Sequence, residues 1–83
     1  MEKRIGTVII DITNRDIVPQ VNAVISRHSG IILCRQGFPR SDRSIISLIL
    51  EGTTDEIGSL SGQLGRLEGI EVKSALLKSR ENA

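Results

Sequence analysis

Eighty-three residues with a formal net charge of +1, 39% hydrophobic and 25% charged, describe one folded domain and exclude a disordered chain. So even a charge balance gives no general attraction to nucleic acid or to an anionic membrane, and a single cysteine excludes a disulfide framework and fits a reducing, cytoplasmic setting. No apolar run approaches the roughly 20 residues that span a bilayer, and the opening MEKRIGTVIID has no signal-peptide core before a small-residue cleavage site.

RIGTVIIDIT, residues 4–13, is rich in β-branched residues and free of proline, so it reads as a strand. Val8, Ile10 and Ile12 share one side; Ile5, Thr7, Ile9 and Asp11 share the other. NRDIVPQ carries helix-start signals. With Asp16 as N-cap, Pro19 falls at the third helical position, where its missing N–H has no intrahelical partner to lose. Ile17, Val21, Val24, Ile25 and His28 follow at helical spacing, and Gly30 is the expected stop. IILCRQ, residues 31–36, is a second strand, and GFPRSDR a turn or hairpin loop.

RSIISLILE, residues 43–51, is a third strand and is apolar on both sides. Ile46, Leu48 and Leu50 point one way, while Ile45 and Ile49 point the other with Ser47 between them. TTDE is a capping box of Thr53 and Glu56. Ile57, Leu60, Leu64 and Leu67 then form the apolar stripe of a second helix. Gly58, Gly62 and Gly65 make a thin stripe of their own, which marks either a close approach by another backbone or glycine that is merely tolerated. GIEVKSALLK, residues 69–78, alternates as a fourth strand, and SRENA, residues 79–83, reads as a frayed tail.

The order strand, helix, strand, strand, helix, strand, with right-handed crossovers, puts both helices on one face of an antiparallel sheet. The expected fold is an α+β ferredoxin-like sandwich over residues 1–78, in sheet order 4-1-3-2. The helices should cover the more apolar face. Ile5, Thr7, Ile9, Ile45, Ser47 and Ile49 would then lie on the open face, where a further copy of the chain would cover them in a homo-oligomer, a dimer or a tetramer.

GTTDEIGSLSGQLGRLEGIEVKSALLK, with RQGFP upstream and the VNAVI helix before it, resembles the iron-only hydrogenase system regulators over residues 3–78. SGQLGRLEGIEVKSALLK is the most specific run. That family is similar to ACT-like domains and to the C-terminal regulatory domain of the nickel-responsive repressor, which are ligand-sensing, oligomeric ferredoxin-like modules. The resemblance therefore implies an oligomeric regulatory domain with a small-molecule effector. ACT-like domains hold their ligands between the loop after the first strand and a neighbouring subunit, which here implicates Thr13, Asn14, Arg15 and Asp16. A plain helix cap is the other reading of that loop.

The chain also departs from these relatives. The nickel repressor's domain binds metal through histidines on a central strand and a cysteine nearby, and SIISLILE has no histidine. His28 and Cys34 are the only soft ligands, and two such residues cannot close a four-ligand site without help. No metal or cofactor is expected. ACT domains usually carry a glycine in the first loop, where ITNRD stands here, so this backbone approaches a small ligand less easily.

Other uses of the fold fail on residue type. An RNA-recognition sheet needs stacking aromatics, and the chain has no Trp, no Tyr and one Phe. A copper chaperone needs a C-x-x-C pair. An acyl-phosphate hydrolase needs an arginine in a glycine-rich phosphate cradle, which TNRDIVP does not resemble. No enzyme is expected. Arg35, Arg40 and Arg43 around Phe38 could hold an anion or an acidic partner, or form a solvated hairpin with Asp42. No groove-entering element is visible, so direct nucleic-acid binding is not expected. The reading is a non-enzymatic, oligomeric, small-molecule-sensing regulatory module; the alternative is a structural or assembly accessory without a ligand.

Overall fold

The computed structural model describes residues 2–78; the expected tail at residues 79–83 lies outside them. Four strands and two helices follow one another as β1 (Arg4–Ile12), α1 (Val18–Arg27), β2 (Ile32–Pro39), β3 (Ser44–Gly52), α2 (Thr54–Gly65) and β4 (Ile70–Leu76). The sheet is antiparallel in the order β2-β3-β1-β4, the expected order read from the other edge. β1 pairs with β3 from Arg4↔Gly52 to Ile12↔Ser44. It pairs with β4 from Gly6↔Leu76 to Ile12↔Ile70. This is the α+β ferredoxin-like sandwich.

The period-two alternation of β1 and β3 decides which side becomes core. Val8, Ile10, Ile12, Ile46, Leu48 and Leu50 are buried against Val21, Val24 and Ile25 of α1 and Ile57, Leu60 and Leu64 of α2. Each such side chain contributes about 1.5–3 kcal/mol on full burial, so this layer holds the fold. The other register of the same strands stays outside: Ile5 is 42% exposed, Ile9 46% and Ile49 38%. Gly6 is buried where β1 and β4 approach closely; a Cβ there would lie 2.7 Å from the Ala75 carbonyl oxygen and against Leu76.

The first helix starts and stops differently from expectation. The side chain of Asn14, not Asp16, caps the start, accepting from the Asp16 N–H at 3.0 Å and opening a single 3₁₀ turn over Arg15–Ile17. The short Asn side chain satisfies an orphan N–H two residues on, and α1 then begins at Val18 with Pro19 second rather than third. Gly30 does not end α1. The helix closes at Arg27 with His28 as C-cap, and a 3₁₀ turn over Ser29–Ile31 carries Ile31 into the core. Among the described residues the one glycine at positive φ is Gly69, at 78°.

β2 runs to Pro39, so Gly37 and Phe38 pair with Ile46 and Ile45 instead of forming a loop. Proline and glycine are tolerated because β2 is an edge strand. The turn is confined to residues 40–43, with the Arg40 N–H donating to the Arg43 carbonyl at 2.8 Å. A bulge between Ile32 and Cys34 turns Leu33 outward. The capping box of α2 forms as expected: the Glu56 N–H donates to Thr53 Oγ1 at 3.1 Å, and the Thr53 N–H donates to Glu56 Oε1 at 2.8 Å. Nothing approaches Gly58, Gly62 or Gly65 within the described chain, so no intrachain packing demands them.

Candidate functional site

The loop after β1 and the β2–β3 turn meet at one end of the sheet. Thr13 is fixed by two bonds to the Gly69 carbonyl, from its N–H at 3.1 Å and its hydroxyl at 3.2 Å. Arg15 crosses to the hairpin and donates to the carbonyls of Arg40 and Ser41. Arg15 is thereby brought beside Arg40, although the two arise from separate connections, while Thr13 bonds to Gly69 and Asn14 to the Asp16 N–H. Arg35 is not part of this group. It lies opposite Leu48, on the helix side, and donates to Asn22 Oδ1 of α1 at 2.8 Å. The three arginines therefore do not surround Phe38 as one cluster.

A shallow cleft of about 340 Å³ runs along the turn, lined by Phe38, Arg40, Asp42, Arg43 and Ile45. The Arg40 guanidinium sits 5.8 Å from the centre of the Phe38 ring, within cation–π range. Asp42 lies 3.9 Å from Arg40 and 3.6 Å from Arg43, so an incoming anion would compete with it. Arg43 makes its shorter bond, 2.9 Å, to Asp11 Oδ2 of β1. The other oxygen, Asp11 Oδ1, is buried without a partner, and Glu71 is the residue paired with Asp11 across the β1–β4 ladder. Sequence reading missed this pair, because only the register of β1 with β3 sets Asp11 beside the hairpin; the alternation does place a charge on the isoleucine side of β1.

The expected interface residues do share one face. Thr7 lies opposite Ile49, Ile9 opposite Ser47 and Asp11 opposite Ile45. Ile45 is half-buried, Ile5, Ile9 and Ile49 are exposed, and Phe38 joins them from β2 at 58% exposure. Thr7 donates its hydroxyl to the Leu48 carbonyl at 2.9 Å, leaving its methyl group to the face.

His28 is committed to structure. Its Nδ1 lies 2.7 Å from the Val24 carbonyl, which can only accept, so Nδ1 carries the proton. Nε2 lies 3.1 Å from Ser59 Oγ on α2. Gln63 donates to the same Ser59 oxygen, and Arg27 donates to Gln63 Oε1, each at 3.1 Å. This chain of bonds ties α1 to α2. A serine paired with a histidine has the beginnings of a nucleophile, but Ser59 sits inside α2, where neighbouring N–H groups are spent on the helix and cannot form an oxyanion hole. Cys34 is exposed on β2, opposite Ile49. Among the described residues no group of three or more His, Cys, Asp or Glu side chains is placed to hold a metal ion, and no helix is long and apolar enough to cross a membrane.

Residues 4–74 match the family model TM1266-like, described as "Iron-only hydrogenase system regulator, putative". Among solved structures, the uncharacterized protein TM1266 from Thermotoga maritima is 38% identical, with a TM-score of 0.87, over 93% of this chain and 100% of that one. The ACT domain from GTP pyrophosphokinase of Chlorobium tepidum is 18% identical, with a TM-score of 0.73, over 90% and 100%. The C-terminal domain of the MgtC protein from Mycobacterium tuberculosis is 16% identical, with a TM-score of 0.67, over 96% and 90%. The last two show the fold alone. No curated protein matches the sequence.

Proposed function

The chain belongs to the TM1266-like family of iron-only hydrogenase system regulators, and from that premise we propose that it is a non-enzymatic, cytoplasmic regulatory module that senses a small anionic effector. The family description and the ACT-domain likeness support a regulatory role. The observation that carries the effector is the Arg15 link between the first loop and the hairpin turn. An anion that drew the Arg15 guanidinium from the carbonyls of Arg40 and Ser41 would uncouple the two connections, and Arg40 would add a second charge-assisted donor. With net charge +1 and no groove-entering element among the described residues, any effect on transcription would pass through a separate DNA-binding partner.

The test is a thermal-shift screen of small carboxylates, phosphates and nucleotides. A ligand that binds only the folded form at a hundred times its Kd stabilises by about 2.7 kcal/mol, a readily measured rise in Tm. Arg15→Ala and Arg40→Ala should abolish the shift. Absence of any shift across the screen supports the second reading, a structural accessory without a ligand. One observation favours that reading: Asp42 already sits 3.9 and 3.6 Å from Arg40 and Arg43, as an internal counter-ion.

A further inference from the structure

One row of residues crosses the sheet at the hairpin end: Phe38 of β2, Ile45 of β3, Asp11 of β1 and Glu71 of β4, each paired with the next. The row is apolar in its first half and acidic in its second. Arg43 neutralises the junction through its Nη1, 2.9 Å from Asp11 Oδ2. The cleft of about 340 Å³ is lined by the apolar half together with Arg40, Asp42 and Arg43. Among the described residues the Arg40 guanidinium makes no hydrogen bond, its contact with Asp42 being 3.9 Å long. Arg43 makes its bond through Nη1 and faces Asp42 through Nε, which leaves Nη2 unused among the described residues. The cleft therefore sets spare donors beside an exposed aromatic ring and a half-buried isoleucine.

A bare inorganic anion gains little there. It exchanges one exposed ion pair for another, because Asp42 already faces both arginines, and such pairs contribute little in water. An acid that carries a flat ring gains more. Its ring covers apolar surface, and a stacked aromatic pair adds about two- to tenfold in affinity beyond the area covered. Small-molecule sites begin at about 300 Å³, so this cleft takes one ring and one acidic group rather than a dinucleotide. We propose that the effector is a small aromatic acid, its ring on Phe38 and Ile45 and its carboxylate or phosphate held by Arg40 and by Nη2 of Arg43. The ring takes the place over Phe38 that the Arg40 guanidinium holds at 5.8 Å, and the guanidinium turns to the acid. Arg15 is bonded to the Arg40 carbonyl, which joins the cleft to the first loop. This inference rests on the effector reading and adds the ring to it.

Four probes in matched pairs test it: acetate against benzoate, and inorganic phosphate against phenyl phosphate. Titrations of the full chain, followed by amide NMR shifts, should show the ring-bearing member of each pair binding about tenfold tighter. The largest shifts should fall at residues 38–45. Phe38→Ala and Phe38→Leu should both remove that advantage and leave acetate and phosphate unchanged. Phe38 is exposed, so circular dichroism should report the same fold. Ile9→Ala, outside the cleft, should bind all four probes as the unaltered chain does. Three results overturn the inference. Equal affinities within each pair remove the ring and leave the effector reading standing, since the plain acids still bind. A ring advantage that survives both Phe38 variants puts the ring elsewhere. Failure of all four probes to bind rejects an aromatic acid, and the effector reading is then decided by its own wider screen.

Discussion

Replacing glycines with alanine at chosen positions tests how the tertiary structure uses each one. Gly69 sits at φ +78°, and a Cβ there would lie 2.9 Å from the Asn14 Cβ. The left-handed conformation costs an L-residue about 1–2 kcal/mol, and overpacking against a fixed neighbour about 1–3 kcal/mol more. Asn14 cannot easily retreat, because its side chain caps the turn at Asp16 and the adjacent Thr13 is bonded twice to the Gly69 carbonyl. Gly69→Ala should therefore destabilise by about 2–5 kcal/mol, which for a domain of this size lowers Tm by roughly 8 °C or more. Gly58 and Gly62 are helical with open space where a Cβ would go. Alanine there should stabilise by about 0.5–1 kcal/mol each, a rise of a few degrees. Urea denaturation followed by circular dichroism measures all three variants, at one concentration and again tenfold lower so that subunit association is separated from folding. A neutral Gly69→Ala would refute the close approach and the strained backbone together. A destabilising Gly58→Ala or Gly62→Ala that depends on concentration would show that a second copy packs on α2.

The capping box of α2 gives two further outcomes. Thr53→Ala should cost about 1 kcal/mol at neutral pH, read from chemical denaturation. The Thr53 N–H, then the Thr53 side chain and to a lesser degree Lys3 hold the Glu56 carboxyl below its ordinary value of 4.5. A lowered carboxylate pKa stabilises the fold above the unfolded value, and that contribution disappears as pH falls from about 4.5 through the folded value. Denaturation midpoints measured down that range should fall in the unaltered chain, and Glu56→Gln should remove that component of the decline. Arg43→Ala leaves Asp11 with one oxygen buried and unpartnered and the other deprived of its 2.9 Å bond; it should destabilise by about 1 kcal/mol, and adding Asp11→Ala should restore part of the loss in a double-mutant cycle. The isolated chain should show no competitor-resistant gel shift with DNA at physiological salt; such a shift would contradict the charge argument and point to Arg40 and Arg43 of the hairpin turn.

Local chemistry wrote much of this structure into the sequence. The alternation in residues 4–13 and 43–51, the helical spacing from Val21 to Ile25 and from Ile57 to Leu64, and the Thr53–Glu56 box each act within a few residues. Their elements, the sheet order and the inward and outward isoleucines followed from them. Element ends were less legible. Asn14 and Asp16 are both good caps, and which one is used depends on how the first loop sits against Gly69. Gly30 resembles a helix stop, but the helix ends earlier and a 3₁₀ turn buries Ile31 in the core. Pairing with Ile45 and Ile46 drew Phe38 and Gly37 out of the loop they resembled and into β2. The candidate site was legible as residue types and not as an arrangement. Nothing local tells Arg15 that its acceptors lie at positions 40 and 41, or sends Arg35 to Asn22 on the helix side while Arg43 reaches Asp11. Short-range patterning sets what each segment becomes, whereas contacts between residues far apart in the chain exist only once the strand register has been fixed, and that register is a property of the folded sheet.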